Sequence, residues 1–180
     1  MIKAILMDMD GCLTDGSYLV HSGLMPGRWR KFHTRDWHGI NKAIKQGILC
    51  AVITGDSSDC ILNQKALSSE LNVKNLHVFT SIEDKLTCAR KFLNKHGISL
   101  DEAAYIGDDE LDIPLLKEVG LPACPVDAHT EVKFIVEGLK DGLVTHNLKG
   151  GEGCVRRLID TCLSFNNIHK SLEARSNIIV

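Results

Sequence analysis

The chain has no long block of Lys or Arg, and its formal net charge is only -2 over 180 residues. That leaves no electrostatic footprint for nucleic acid or for an anionic lipid surface, so any anion it handles must be met locally. No apolar stretch approaches the roughly 18 residues of a membrane span, and the first residues run into a strand pattern in place of a basic, apolar leader. The expectation is a soluble, cytoplasmic protein with no nucleic-acid and no membrane partner. Seven cysteines are scattered without a Cys-x-x-Cys pair. An odd, scattered set indicates neither a disulfide framework nor a zinc site, and reduced, mostly buried thiols are expected. The eight histidines show no His-x-x-x-His spacing and are assigned no metal. Internal repeats and low-complexity segments are also missing.

What is present suffices for one core. With 44% hydrophobic residues, a chain of this length reads as a single domain, taken as residues 1–164 with 165–180 as a C-terminal tail. The short apolar runs IKAILM, ILCAVI, NLHVF, AAYI and LPAC alternate with helical periodicity over 37–46, 57–71, 82–96 and 110–118, and a last helix is expected near 152–164. Such alternation predicts an α/β fold, a Rossmann-like parallel sheet flanked by helices. One stretch breaks the rhythm. SYLVHSGLMPGRWRKFH, residues 17–33, has two candidate strands around a Gly/Pro turn and predicts a projecting hairpin.

In parallel sheets of this kind, ligands sit outside the carboxyl ends of the strands. Asp8 and Asp10 close the first run, Thr54 and Gly55 close the second, Lys85 opens the helix after the third, and Asp108, Asp109 and Asp112 follow the fourth. Each alone has a bland reading as a turn, strand stop, solvated residue or cap. Together, five carboxylates in one crevice would repel by about 4 kcal/mol per pair at 4 Å and an effective dielectric of 20. A cation must be bound there, and an all-oxygen set suits a hard ion such as Mg²⁺. Asp109 and Asp112 also gain from the helix dipole in a first turn.

Carboxylates, Mg²⁺, a lysine and a hydroxyl together suit phosphoryl transfer. One aspartate can attack phosphorus to give an aspartyl-phosphate that water later removes. Its neighbour two residues on can protonate the leaving alkoxide and then deprotonate the water.

These motifs, DMDGCLTDG, ITG, Lys85 and GDDELD, occur in the order found in the haloacid-dehalogenase-like phosphatases, which the chain resembles across residues 8–112. The resemblance implies Asp8 as nucleophile, Asp10 as acid/base, and Thr54 and Lys85 as phosphate holders. It implies Mg²⁺ on Asp8, Asp108 and the Asp10 carbonyl, with Gly55, Asp109 and Asp112 in support. KFHTRDWHGI, AYIGDDELD and KGGEGCVRRL extend the likeness to a small, capless subfamily that includes 3-deoxy-D-manno-octulosonate 8-phosphate phosphatase and nine-carbon sugar-acid relatives.

Spacing agrees with a capless fold. Neither the gap after Asp10 nor the thirty residues between Gly55 and Lys85 can house a lid domain of about 50 residues. In this subfamily a tetramer covers the crevice, so a homotetramer is implied, acting on a small phosphorylated sugar acid. Thr34, Arg35, Asp36, Asp56 and Arg156 are candidate substrate contacts, with Arg156 or Arg157 expected to reach a neighbouring site, and surface ion pairing or helix capping is the competing reading for Arg35, Asp36 and these arginines. Asn41, Asp56 and Gln64 stand where the octulosonate enzymes usually carry arginines. Asp56 leans toward the nine-carbon relatives. Trp37 is available either to stack on a sugar or to pack beneath the hairpin. Cys12 is expected to pack against the first helix. Two other classes compete. A receiver-type domain would place its phospho-accepting Asp after the third strand, and a phosphatase-like assembly module would lose part of the site.

Overall fold

β1 (Ala4–Met7) is buried at every position, the mark of a strand covered on both faces. The computed structural model describes residues 1–17, 30–56 and 75–176. Beside β1 lie β2 (Leu49–Ile53), β3 (Leu76–Phe79), β4 (Ala103–Ile106), β5 (Leu121–Pro125) and β6 (Leu143–Thr145). They form one six-stranded sheet in the order β3-β2-β1-β4-β5-β6, and every pairing is parallel. The order reverses between β1 and β4, which opens a crevice beyond their carboxyl ends.

Alternation along the strands feeds two cores. Ile5 and Met7 pack with Trp37 and Ile40 of α1 (Thr34–Lys45) and with Val155, Leu158 and Ile159 of the last helix. Ala4 and Leu6 face the other layer, made by α2 (Lys85–Lys95), α3 (Ile113–Leu116) and α4 (Thr130–Gly138). The last helix, α5 (Cys154–Ser176), packs against α1.

The helix starts follow local chemistry. α2 begins where Asp84 caps it, accepting the Thr87 N–H at 2.9 Å, so the helix expected from 82 starts three residues later. α1 opens on His33, whose Nδ1 accepts the Arg35 N–H at 3.2 Å. The tail expected from 165 is helical as far as Ser176. Near the start of this extension the helix is anchored by Asn166, which is buried. Its amide accepts the Ile2 N–H at 2.8 Å and donates to the Ile2 carbonyl at 2.7 Å, pinning the chain's start to α5. The sequence reading did not include α4 or β6.

The helix expected at 57–71, Gln64 and most of the hairpin at 17–33 lie outside the described residues, and residues 30–33 form no strand. Cys12, Cys50, Cys124, Cys154 and Cys162 are buried and Cys88 is half-buried, consistent with packing thiols. Trp37 is a core residue, its ring 5.2 Å from Phe32, which favours the packing reading.

Candidate active site

Asp8 stands one residue past β1, its N–H donating to the Ile106 carbonyl at 3.0 Å. The chain then turns sharply through Met9–Leu13. Gly11 takes φ +83° there, and a Cβ on it would lie 2.0 Å from Asp108 Oδ2. Only glycine combines that backbone with that closeness. The KGGEG segment underlies the turn. Gly151 N–H donates to the Cys12 carbonyl at 2.9 Å, Gly150 N–H to Asp127 Oδ1 at 3.0 Å, and a Cβ on Gly150 would sit 2.1 Å from the Gly11 carbonyl.

Beneath the crevice runs a buried charge network. Lys85, the first residue of α2, places Nζ 2.8 Å from Asp8 Oδ1 and 2.6 Å from Asp112 Oδ1. Asp112 Oδ1 also accepts the Tyr105 hydroxyl, and its Oδ2 accepts the N–H groups of Asp108 and Asp109 at 2.9 and 3.0 Å. Asp112 thus holds the loop carrying Asp108. Tyr105, a fully buried β4 residue, was not anticipated from sequence, where it reads as one more apolar strand position.

Carboxylate oxygens of Asp8, Asp108 and Asp112 come within 4.8 Å of one another. Burial, with the Asp112 charge, pushes Asp8 up to about 6 despite Lys85. Burial and the Asp8 and Asp112 charges push Asp108 up to about 8. Burial opposes the charged form of Lys85, but its two carboxylate partners prevail and raise its pKa. One ammonium among three carboxylates leaves a surplus of negative charge. A hard dication held by oxygens fits this donor set.

Above the network lies an open crevice of about 280 Å³, lined by Asp10, Gly11, Asp15, Gly16, Asp108, Asp109 and Asp127. Asp109 is exposed and caps the following turn by accepting the Glu110 N–H at 2.7 Å. Thr54 closes β2, its N–H on the Phe79 carbonyl and its hydroxyl accepting the Asp56 N–H at 3.1 Å. Gly55 follows, exposed to solvent.

The expected substrate contacts disperse. Asp36 has no exposed surface. Its Oδ1 accepts the Arg156 N–H at 2.6 Å in the first turn of α5, so it is a helix cap and not a ligand contact. Arg35 and Arg156 line a separate depression with Leu148, Glu152, Gly153, Arg157 and Asp160, sharing no residue with the acidic crevice. Arg156 also pairs with Asp160 at 2.7 Å along the same helix. Thr34 is exposed at the start of α1 and lines neither. Asp56 gives a carboxylate oxygen to Arg30, a residue the sequence reading left inside the hairpin.

No helix among the described residues is long and apolar enough to cross a membrane. A family model described as haloacid dehalogenase-like hydrolase matches residues 63–139. The 3-deoxy-D-manno-octulosonate 8-phosphate phosphatase of Salmonella typhi is 31% identical over 162 residues, 90% of this chain and 79% of that protein. The crystal structure of the Moraxella catarrhalis phosphatase of the same name, in complex with magnesium, phosphate and KDO, gives a TM-score of 0.79 at 29% identity. It covers 97% of this chain and 92% of that one. The Yersinia pestis structure gives 0.77 at 31% identity, over 90% and 80% of the two chains. With the sheet order and acidic crevice described above, these likenesses place the chain in the haloacid dehalogenase-like hydrolases, among the phosphoric monoester hydrolases of that family.

Proposed function

We propose that this phosphatase hydrolyses a sugar-acid phosphate of the 3-deoxy-D-manno-octulosonate 8-phosphate class, through an aspartyl-phosphate on Asp8. The observation that carries the reading is Asp8 itself. It is a buried carboxylate at a strand end, with Lys85 Nζ 2.8 Å from one oxygen and a second, crevice-lining aspartate two residues on. Asp8 attacks phosphorus and the bond to the sugar oxygen breaks, with Asp10 giving that oxygen its proton. Asp10 then takes a proton from the water that releases phosphate from Asp8. Lys85 and Thr54 hold the phosphoryl oxygens. The carboxylates of Asp8 and Asp108 and the Asp10 carbonyl would hold Mg²⁺, which when bound would supply positive charge against that developing on the phosphoryl group. Gly55, Asp109 and Asp112 support these groups, Asp112 by fixing Lys85 and the 108–109 backbone.

Asp56, an acid joined through Arg30 to the crevice-lining Asp10, keeps a nine-carbon sugar-acid 9-phosphate as the second reading. Phosphate release with Mg²⁺ and with chelator, compared by kcat/KM over octulosonate 8-phosphate, nine-carbon sugar-acid 9-phosphates and simple sugar phosphates, tests both. Preference for the eight-carbon acid supports the first reading. Preference for the nine-carbon acids supports the second, and no Mg²⁺-dependent hydrolysis of any ester favours a phosphatase-like assembly module.

A homotetramer and a cytoplasmic location belong to the same proposal. The crevice is open, and the segments 18–29 and 57–74 are each far shorter than the roughly 50 residues a lid domain needs. A fully active monomer in sedimentation analysis would overturn the tetramer.

A further inference from the structure

Arg30 is a buried cation against the crevice-lining Asp10, with no task in the chemistry above. Its side chain is 2% exposed. The guanidinium meets Asp10 as a fork, Nε donating to Oδ1 at 2.7 Å and Nη2 to Oδ2 at 2.5 Å. Nη2 also donates to Asp56 Oδ2, and Asp56 is in turn tied by its N–H to the Thr54 hydroxyl at 3.1 Å. The clamp therefore joins the chain beyond β1 to the chain beyond β2. A further donor reaches Asp10, the Thr14 hydroxyl on Oδ1 at 2.9 Å.

A carboxyl group offers about four sites, all lone pairs when ionised and one of them the O–H when it acts as an acid. On Asp10, Oδ1 accepts twice, from Arg30 and Thr14, and Oδ2 accepts once, from Arg30. One site remains, on Oδ2. We propose that Arg30 is a positioning residue, whose fork on Asp10, anchored by Asp56, leaves a single oxygen site on Asp10 to exchange the proton with the leaving group. This rests on the acid/base reading of Asp10 given above. A planar guanidinium fixes both carboxylate oxygens at once, whereas a lysine ammonium supplies the same charge without the fork. Asp56 acts here as the anchor of Arg30, which gives the acidic residue at this position a role other than contact with the sugar.

The test compares kcat/KM for 3-deoxy-D-manno-octulosonate 8-phosphate, whose alkoxide needs a proton to leave, with that for 4-nitrophenyl phosphate, whose phenolate leaves without one. Loss of aim at Asp10 in Arg30→Met should lower the first by about 100-fold and the second by less than about threefold. Arg30→Lys, which keeps the charge, should show the same bias at smaller size, and it decides the matter if Arg30→Met does not fold. Equal losses on the two esters in Arg30→Lys, or no loss, would overturn the positioning role, because a general structural defect does not distinguish leaving groups. A wild-type chain that hydrolyses neither ester with Mg²⁺ is a different outcome and would overturn the phosphatase reading together with this inference.

Discussion

Lys85 and Asp112 form a buried pair at 2.6 Å, with the lysine side chain 5% exposed and the aspartate not exposed at all. The pair binds the start of α2 to the loop after β4, the two segments that carry the proposed phosphate holder Lys85 and the proposed metal ligand Asp108. Removing one partner of such a pair leaves an uncompensated buried charge and typically costs about 3–5 kcal/mol. Asp112→Ala should therefore lower Tm by on the order of 10 °C and lower kcat with it, since Lys85, the Tyr105 hydroxyl and two backbone N–H groups all lose an acceptor. Thermal unfolding beside steady-state kinetics checks this. An unchanged Tm would mean that the network is not structural.

On the proposed ligand set, Mg²⁺ and protons would compete for the same oxygens. Asp8 and Asp108 are pushed up to about 6 and about 8, chiefly by burial and then by neighbouring negative charge. Without the ion, their raised pKa values cost stability as pH climbs from 3.8 to about 6 for Asp8 and to about 8 for Asp108, and the cost is constant above. With it, that cost is offset. The rise in Tm on adding Mg²⁺ should be larger at pH 8.5 than at pH 5.5, and at about 100 times Kd it corresponds to about 2.7 kcal/mol. Asp108→Asn should abolish most of it, and chelator should reverse it in the wild type. Equal shifts at both pH values would count against these carboxylates as ligands.

Asp8→Asn should abolish turnover while leaving the fold intact, because it removes the proposed nucleophile yet also removes one member of a mutually repelling set. Circular dichroism and phosphate release on the same sample decide the point. Turnover within tenfold of wild type would overturn the nucleophile assignment.

Asp36 offers a pH test away from the chemistry. Burial, opposed by the Arg156 N–H and the Arg156 charge, raises its carboxyl from 3.8 to about 6, and its Oδ2 is buried without a hydrogen-bond partner among the described residues. A raised acid costs nothing below the unfolded pKa, where both states are protonated. The cost grows as pH climbs from 3.8 to 6 and is constant above. At about 1.36 kcal/mol per pH unit this amounts to about 3 kcal/mol. The stability of Asp36→Asn relative to wild type should therefore rise by about that much between pH 4 and pH 6.5, then level off. A flat difference across this range, measured by urea unfolding, would show that Asp36 does not titrate there.

Gly11→Ala should be far more damaging than an exposed Gly→Ala change, since its Cβ would lie 2.0 Å from Asp108 Oδ2 at a φ of +83°. Backbone strain alone is on the order of 1 kcal/mol, and displacing Asp108 should cost about 100-fold or more in kcat/KM. By contrast, Gly97→Ala, with φ +67° and nothing within 4 Å of the added Cβ, should cost stability only. Kinetics and unfolding on the two variants separate the effects.

The sequence by itself determined the parallel α/β architecture and the gathering of Asp8, Asp10, Thr54, Lys85, Asp108 and Asp112 at one edge of the sheet. Strand period and the position of a polar residue at a strand end are local properties of the chain, and a parallel sheet converts them into a common edge. Short or weakly patterned elements escaped this reading. β6 has three residues, and α4 buries only Val132 and Val136 while Phe134 is exposed. The tertiary structure alone decided which groups meet within the site. Arg30 reaches Asp10 and Asp56 across 20 and 26 residues, and Lys85 reaches Asp112 across 27. It also turned Asp36 from a candidate ligand into a helix cap and sent Arg35 and Arg156 to a different depression. A side chain's partner at such separations depends on how whole elements pack, and neither composition nor period carries that information.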